Sequence, residues 1–146
     1  MFSLRNIRIT KFQQMKNSVL FIGLMTLMVG LLSFTFISNG EPWEIPAEYE
    51  SMENPVQANA DNIAVGKTLY NKHCKSCHGS KGLGDGVKTK MVDTEMPDIT
   101  TDEYKAQKDG VKYYQSIIGR DEMPNYEKKI PDVEDRWSVI NYMETL

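Results

Sequence analysis

The chain has 146 residues, which is enough for one small domain. Its 17 basic and 20 acidic residues give a formal charge of −3, and this excess of acids argues against a nucleic-acid-binding protein. Two cysteines are too few for the disulfide framework of a small secreted scaffold, and neither of the common glycine-rich phosphate-binding motifs is present.

The charge is distributed unevenly along the chain. The first 40 residues carry four basic residues and no acid, and the other 13 basic and all 20 acidic residues follow them, for a net −7. Between Lys16 and Glu41 the sequence is uncharged, and Val19 to Ile37 is mostly apolar. As a helix this stretch spans about 28 Å, close to the hydrocarbon thickness of a bilayer. We therefore predict a cytoplasmic basic segment over 1–18 and a transmembrane anchor or uncleaved signal over 19–38.

The position of the basic residues also predicts the orientation of this segment. The positive-inside rule leaves the N-terminus in the cytoplasm, so that the following domain lies on the periplasmic side of a bacterial inner membrane. A cleaved signal peptide, which would release a soluble periplasmic protein, is the alternative. The apolar core is longer than the about 7–15 residues of a usual signal, which favours the single-pass anchor.

Residues 39–60 are predicted to form an acidic tether. Pro42, Pro46 and Pro55 disfavour regular helix in this segment and bias their neighbours to extended conformations. Trp43 has two interpretations: it lies at the membrane surface, or it or Tyr49 packs on the domain that follows.

Helical spacing of apolar residues begins after this tether. Asp61 is a suitable N-cap for a helix that runs towards the cysteines. A second helix is predicted from Asp109-Gly110 to a stop at Gly119, and a third begins at Pro131-Asp132. Strand-like alternation is not found, so the sequence predicts an all-α domain over 61–146.

The first of these helices leads into the motif Cys74-Lys75-Ser76-Cys77-His78. C-x-x-C-H is the attachment motif of c-type haem: the two thiols add to the two vinyl groups, and the adjacent imidazole ligates the iron. A redox disulfide would need a β-α-β pattern beside it, and a zinc site would need a second half-site elsewhere. A structural disulfide would leave His78 unexplained. We therefore predict one covalent haem c bound by Cys74, Cys77 and His78.

With this motif, the chain resembles the monohaem class I c-type cytochromes over residues 61–146. The resemblance also rests on four further stretches: the segment 62–73 before the cysteines, the glycine-rich Gly82-Leu83-Gly84-Asp85-Gly86, Gly119-Arg120-Asp121-Glu122-Met123-Pro124, and the terminal 135–142. It implies a small cytochrome c fold of three to four helices around one haem. It also implies that the first and last helices cross tightly, through Gly66 and Tyr70 against Trp137 and Tyr142.

The sixth iron ligand decides between electron transfer and ligand binding, because methionine favours ferrous iron whereas an open position admits gases or peroxide. Met91, Met96, Met123 and Met143 are the candidates after the motif. Met143 falls in the terminal helix, whereas Met96 and Met123 both precede proline. Met123 follows a helix stop in the loop before the last helix, where the family places its ligand, so Met123 is the predicted ligand.

The resemblance also implies roles around the iron. Residues Gly82 to Val87 are expected to provide a backbone carbonyl that accepts from the proximal histidine. Arg120 and Trp137 are candidate donors to the haem propionates, and Arg120 as a solvated charge is the alternative. We interpret the glycines at 82, 84 and 86 as allowing close approach of backbone to haem.

These features together predict an electron carrier rather than an enzyme, in a bacterial respiratory chain. Its expected donor is a quinol-oxidising complex or another cytochrome, and its expected acceptor is a terminal oxidase or reductase. The alternatives are a haem sensor or gas-binding module, a small peroxidase-like enzyme, and a fixed cytochrome subunit of a larger respiratory complex. Lysines near the motif are a candidate docking cluster or a solvated face: Lys72, Lys75, Lys81, Lys88 and Lys90.

Overall fold

A computed structural model describes residues 42–146 and shows a helical domain. Its six α-helices in this range are α1 (Ala47–Glu50), α2 (Ala60–His73), α3 (Lys75–His78), α4 (Asp102–Lys105), α5 (Asp109–Tyr113) and α6 (Val133–Met143). A 3-10 turn spans Thr89–Met91, and a π-helical turn over Tyr114–Ile118 continues α5. Apart from an isolated bridge between Arg120 and Met123, residues 42–146 form no β-structure, which confirms the all-α prediction.

The predicted segments 1–18 and 19–38 lie outside the described residues. Within 42–146, none of the helices combines the length and hydropathy that crossing a bilayer requires.

The ends of the main helices follow from their capping residues. The side chain of Asn59 accepts a hydrogen bond from the Asn62 amide at 2.9 Å and caps α2, so the predicted cap Asp61 lies instead in the first turn. Asp132 caps α6 by accepting from the amides of Glu134 and Asp135. The π-helical turn after α5 stops at Gly119, whose φ of 71° is the left-handed conformation that glycine adopts most easily.

Helices α2 and α6 form the main packing contact of the domain. A Cβ at Gly66 would overlap the backbone carbonyl of Ser138 and lie 2.9 Å from Cβ of Tyr142, so the helices meet where α2 has no side chain. One turn later the rings of Tyr70 and Tyr142 pack with centroids 5.3 Å apart. For Gly66, Tyr70 and Tyr142, these contacts agree with the crossing that the family resemblance implies. Trp137 packs its ring on Tyr113 of α5, with centroids 4.5 Å apart.

The core of the domain is built around this crossing. Its buried apolar members come from the motif, from α2, α5 and α6, and from the loops between them: Tyr70, Cys74, Ile99, Tyr113, Ile117, Tyr126, Ile130, Trp137, Val139, Ile140, Tyr142 and Met143. The core therefore reaches Cys74 directly, and the motif is part of the packed interior.

Residues 42–58 lie against the helical body. Tyr49 in α1 packs on Tyr113 and Tyr114, with ring centroids 6.3 and 4.8 Å apart. Gly110 donates its amide to the Met52 carbonyl at 3.1 Å, and the Asn54 side chain donates to Asn141 at 2.8 Å. Of the two interpretations given for Trp43 and Tyr49, a position at the membrane surface or packing on the domain, the structure shows packing on the domain.

Candidate functional site

The C-x-x-C-H motif forms one helical turn at the end of α2. Cys74 is the C-cap of α2 and donates its amide to the Tyr70 carbonyl at 2.8 Å. The amides of Cys77 and His78 both donate to the Cys74 carbonyl, at 3.1 and 3.0 Å. The turn therefore brings together three of the four predicted site residues, and its two cysteines are not joined in a disulfide.

The imidazole of His78 is buried without a hydrogen-bond partner. Both of its ring nitrogens are sealed from solvent, and the described residues offer neither of them a donor or an acceptor. Burial lowers the pKa of His78, so the neutral ring is favoured. Buried polar atoms nearly always have partners. A neutral imidazole whose nitrogens are buried and unpartnered has the properties of a metal ligand.

The expected backbone acceptor for His78 from residues 82–87 is not formed in the described structure. The same loop makes other bonds to the motif instead. The Gly84 amide donates to the His78 carbonyl at 3.0 Å, and the Gly86 amide donates to the Cys77 carbonyl at 3.1 Å. The loop therefore fixes the backbone of the motif rather than the imidazole.

The glycine at 86 has a steric role at this contact. A Cβ on Gly86 would lie 2.5 Å from the Ser76 carbonyl oxygen, which real structures do not tolerate. The hydroxyl of Thr89 lies 2.9 Å from both the Cys77 and Gly84 carbonyl oxygens and closes the same loop. Gly86 therefore allows the loop to approach the backbone of the motif closely. The sequence analysis expected this glycine to allow close approach of backbone to haem instead.

Cys74 is the more enclosed of the two thiols. Its burial, and then the neighbouring Cys77, raise the pKa of Cys74 to about 12. Burial of Cys74 therefore disfavours the thiolate form that activates a nucleophilic cysteine.

The candidate sixth ligands lie in different surroundings. Met143 is only 5% exposed in the core of α6, as predicted, and Met91 is 78% exposed. Met96 and Met123 are both half-buried in loops, and Met123 packs against the core. The amide of Met123 donates to the Arg120 carbonyl at 2.8 Å in a tight turn.

A tyrosine connects the Met123 loop with the motif helix. Tyr126 donates its hydroxyl to the His73 carbonyl at 3.1 Å, and its ring packs edge-on to His73 with centroids 5.8 Å apart. Burial is the main cause that raises the pKa of Tyr126 to about 12, so the hydroxyl remains a donor. The sequence analysis missed this contact, because a hydrogen bond from a side chain to a distant backbone carbonyl leaves no pattern in the sequence.

Arg120 has partners that the sequence analysis also missed. Its guanidinium donates to the Pro42 carbonyl at 2.9 Å and lies 4.2 Å from the centroid of the Trp43 ring. Arg120 therefore has partners on the domain and is not the merely solvated charge that was the alternative to a propionate donor.

The residues present fit a covalently bound haem. Two thiols and a histidine share one helical turn, and the imidazole has two buried nitrogens without partners. The core begins at Cys74, so a macrocycle attached there would add apolar surface to a small domain.

Comparison with known families gives the same result. The family model described as Cytochrome c matches residues 63–146, which is more than half of the chain and includes all four predicted site residues. A comparison with curated proteins found no match.

Proposed function

The chain belongs to the cytochrome c family, whose members bind haem c and generally act as electron carriers rather than enzymes, and on that premise we propose that it carries one electron on a single covalent haem c. The observation that carries the proposal is the His78 ring, with both nitrogens buried and unpartnered one residue after a cysteine pair on the same turn.

Each site residue has a defined role in this proposal. Cys74 and Cys77 hold the haem through thioether bonds, His78 provides the proximal nitrogen ligand, and Met123 provides the distal sulfur ligand. When bound, the haem supplies an iron that alternates between the ferric and ferrous states. The soft, neutral sulfur of Met123 favours the ferrous state and thereby raises the reduction potential.

The protein contributes a fixed frame for the ligands. Backbone hydrogen bonds from Gly84 and Gly86 hold the motif turn, and Tyr126 holds the end of α2. A frame of this kind limits movement of His78 between the two oxidation states, which suits fast electron transfer without bond making in a substrate.

We further propose the cellular context of this carrier. Residues 19–38 anchor it in a bacterial inner membrane with the domain on the periplasmic side, and it works in a respiratory chain. Its donor is a quinol-oxidising complex or another cytochrome, and its acceptor is a terminal oxidase or reductase. The lysines near the motif are all exposed and available for weak docking to an acidic partner: Lys72, Lys75, Lys81, Lys88 and Lys90.

Native mass and carbon monoxide binding test the carrier. Intact mass of the protein purified from membranes should show the polypeptide plus one haem that acid–acetone does not extract, with residues 1–40 retained if the anchor is correct. The ferrous protein should not bind carbon monoxide. A high-spin spectrum with ready binding of carbon monoxide would favour the sensor, and stable co-purification with other subunits would favour a fixed subunit of a complex.

The distal ligand is tested by two matched methionine variants. Met123→Ala should abolish the weak sulfur-to-iron absorption at the red end of the ferric spectrum and open the ferrous protein to carbon monoxide. Met96→Ala, a half-buried loop methionine that also precedes proline, should retain the wild-type spectrum. The opposite pattern would assign the ligand to Met96.

A further inference from the structure

The loop from Gly119 to Met123 has a backbone that needs external support. Gly119 and Asp121 have φ angles of 71° and 50°, and Asp121 is the only non-glycine residue in the described range with positive φ. Left-handed backbone is unfavourable for residues with a Cβ, although aspartate tolerates it better than most. The turn that presents Met123 therefore depends on contacts made by its own side chains.

The first of these contacts joins the loop to Pro42 and Trp43, in the segment that precedes α1. Arg120 donates to the Pro42 carbonyl at 2.9 Å, and its guanidinium lies 4.2 Å from the centre of the Trp43 ring. Trp43 is itself held edge-on against Tyr114, with centroids 6.3 Å apart. We call Pro42, Trp43 and Arg120 the N-terminal clip.

The N-terminal clip can restrain the 119–123 loop only if the segment that carries Trp43 is itself fixed to the domain. Two hydrogen bonds join Asn54 and Val56 to α6: the Asn54 side chain donates to Asn141 at 2.8 Å, and Asn141 donates to the Val56 carbonyl at 3.0 Å. The Asn54 amide also donates to Asp109 at 3.2 Å. Trp43 is thus presented to Arg120 from a segment with its own anchoring points.

A second contact holds the same loop from another direction. The carboxylate of Glu122 accepts hydrogen bonds from the Asp93 amide at 3.1 Å, the Thr94 amide at 2.7 Å and the Thr94 hydroxyl at 2.6 Å. These charge-assisted bonds join the residue before Met123 to the loop that follows the 3-10 turn. We call Glu122 and residues 93–94 the loop clip.

We propose that Arg120 and Glu122 are positioning residues for Met123, held by the N-terminal clip and the loop clip. The inference rests on the proposed function, in which Met123 is the distal ligand. Neither residue is an iron ligand in this proposal; each restrains the turn so that the Met123 sulfur remains at its position. Weakening either clip makes the methionine easier to displace by a ligand from solution.

Titration of the ferric full-length holoprotein with imidazole measures how easily the proposed ligand Met123 is displaced. Trp43→Ala and Glu122→Ala should each raise the apparent affinity for imidazole about fivefold to tenfold, because the methionine that competes with imidazole is held less well. The two clips use different partners, so the double variant should show about the product of the two increases. Trp43→Phe keeps a ring for Arg120 and should remain near wild type.

Two controls separate positioning from general stability. Glu144→Gln removes the partner of Lys112, away from the 119–123 loop, and should lower the melting temperature without changing imidazole affinity. Thr94→Val removes one donor of the loop clip at an exposed position and should raise imidazole affinity by a smaller factor; it replaces Glu122→Ala if that variant does not fold.

The failures of the two proposals are distinguishable. If Met123→Ala loses the sulfur-to-iron band while Trp43→Ala and Glu122→Ala bind imidazole like wild type, the positioning inference is wrong and the carrier stands. If Met123→Ala keeps the band, Met123 is not the ligand and both the ligation and the inference fail.

Discussion

At the scale of single residues, the least expected feature of the domain is a buried lysine. Lys112 is 4% exposed, and its ammonium lies 2.5 Å from a Glu144 carboxylate oxygen and 3.0 Å from the Lys105 carbonyl. Its neighbours in the sequence are apolar, Val111 and Tyr113, and nothing in that pattern distinguishes an inward-facing lysine from a solvated one.

The two partners of this ion pair should respond differently to substitution. Glu144→Gln leaves the buried ammonium without its counter-charge and should lower the free energy of unfolding by about 1–3 kcal/mol. Lys112→Met removes the buried charge and keeps most of the volume, so it should cost less. Denaturant titration of the holoprotein checks the order. Equal losses, or a larger loss for Lys112→Met, would show that the lysine stem contributes more than the ion pair.

The site residues were predictable to the extent that their chemistry is local in sequence. Cys74, Cys77 and His78 are defined by spacing alone, and one helical turn then brings them together. Arg120 was not predictable, because its partners Pro42 and Trp43 lie 78 and 77 residues earlier in the chain. Glu122 was missed for the same reason, since its partner loop is separated from it by 28 residues or more.

At the scale of secondary-structure elements, the contact of α2 with α6 depends on the missing side chain at Gly66. A Cβ there would collide with the Ser138 carbonyl, which is main chain of the opposite helix and cannot rotate away. The close approach also brings the ring of Tyr70 against the ring of Tyr142. The Tyr70 hydroxyl donates to the Gly79 carbonyl at 2.9 Å.

Gly66→Ala should therefore be strongly destabilising in spite of the better helix propensity of alanine. We expect a loss of about 1–3 kcal/mol, typical of overpacking at a tight contact, and lower recovery of holoprotein. The neighbouring Val65 is 40% exposed on the same helix, so Val65→Ala serves as a control that should change stability by about 0.5 kcal/mol or less. Thermal unfolding of both variants measures the difference, and a neutral Gly66→Ala would mean that the helices separate at little cost.

The helices with regular apolar spacing were predicted from the sequence, whereas the π-helical turn and the packing of residues 42–58 were not. The spacing in 109–118 and 133–143 indicated helices, and Gly119 and Asp132 mark their limits as expected. The π-helical character of Tyr114–Ile118 has no sequence signal of its own. Residues 42–58 were expected to include a free tether, because prolines and acids are typical of linkers, but their few aromatic and amide side chains find partners on the domain.

At the scale of the whole molecule, acid stability depends on how histidines are buried. Burial, and then the positive charges of Lys72 and Lys129, lower the pKa of His73 below its ordinary value near 6.5. Tyr126 lies edge-on to its ring, and these two lysines are the charged groups that act on it. His78 also has a lowered pKa, but under the proposed ligation its imidazole would not titrate in the holoprotein.

The holoprotein should therefore lose stability below about pH 6.5 partly through His73. The unfolded chain binds a proton at this histidine before the folded chain does, so the free energy of unfolding falls as the pH decreases from 6.5 towards the lowered pKa. His73→Gln removes this proton uptake and should flatten the fall over pH 6.5 to 5, while the slopes of the two proteins agree above pH 7.5. Denaturant midpoints measured at each pH in the same ionic strength provide the comparison. An unchanged slope in the variant would mean that His73 is protonated equally in both states.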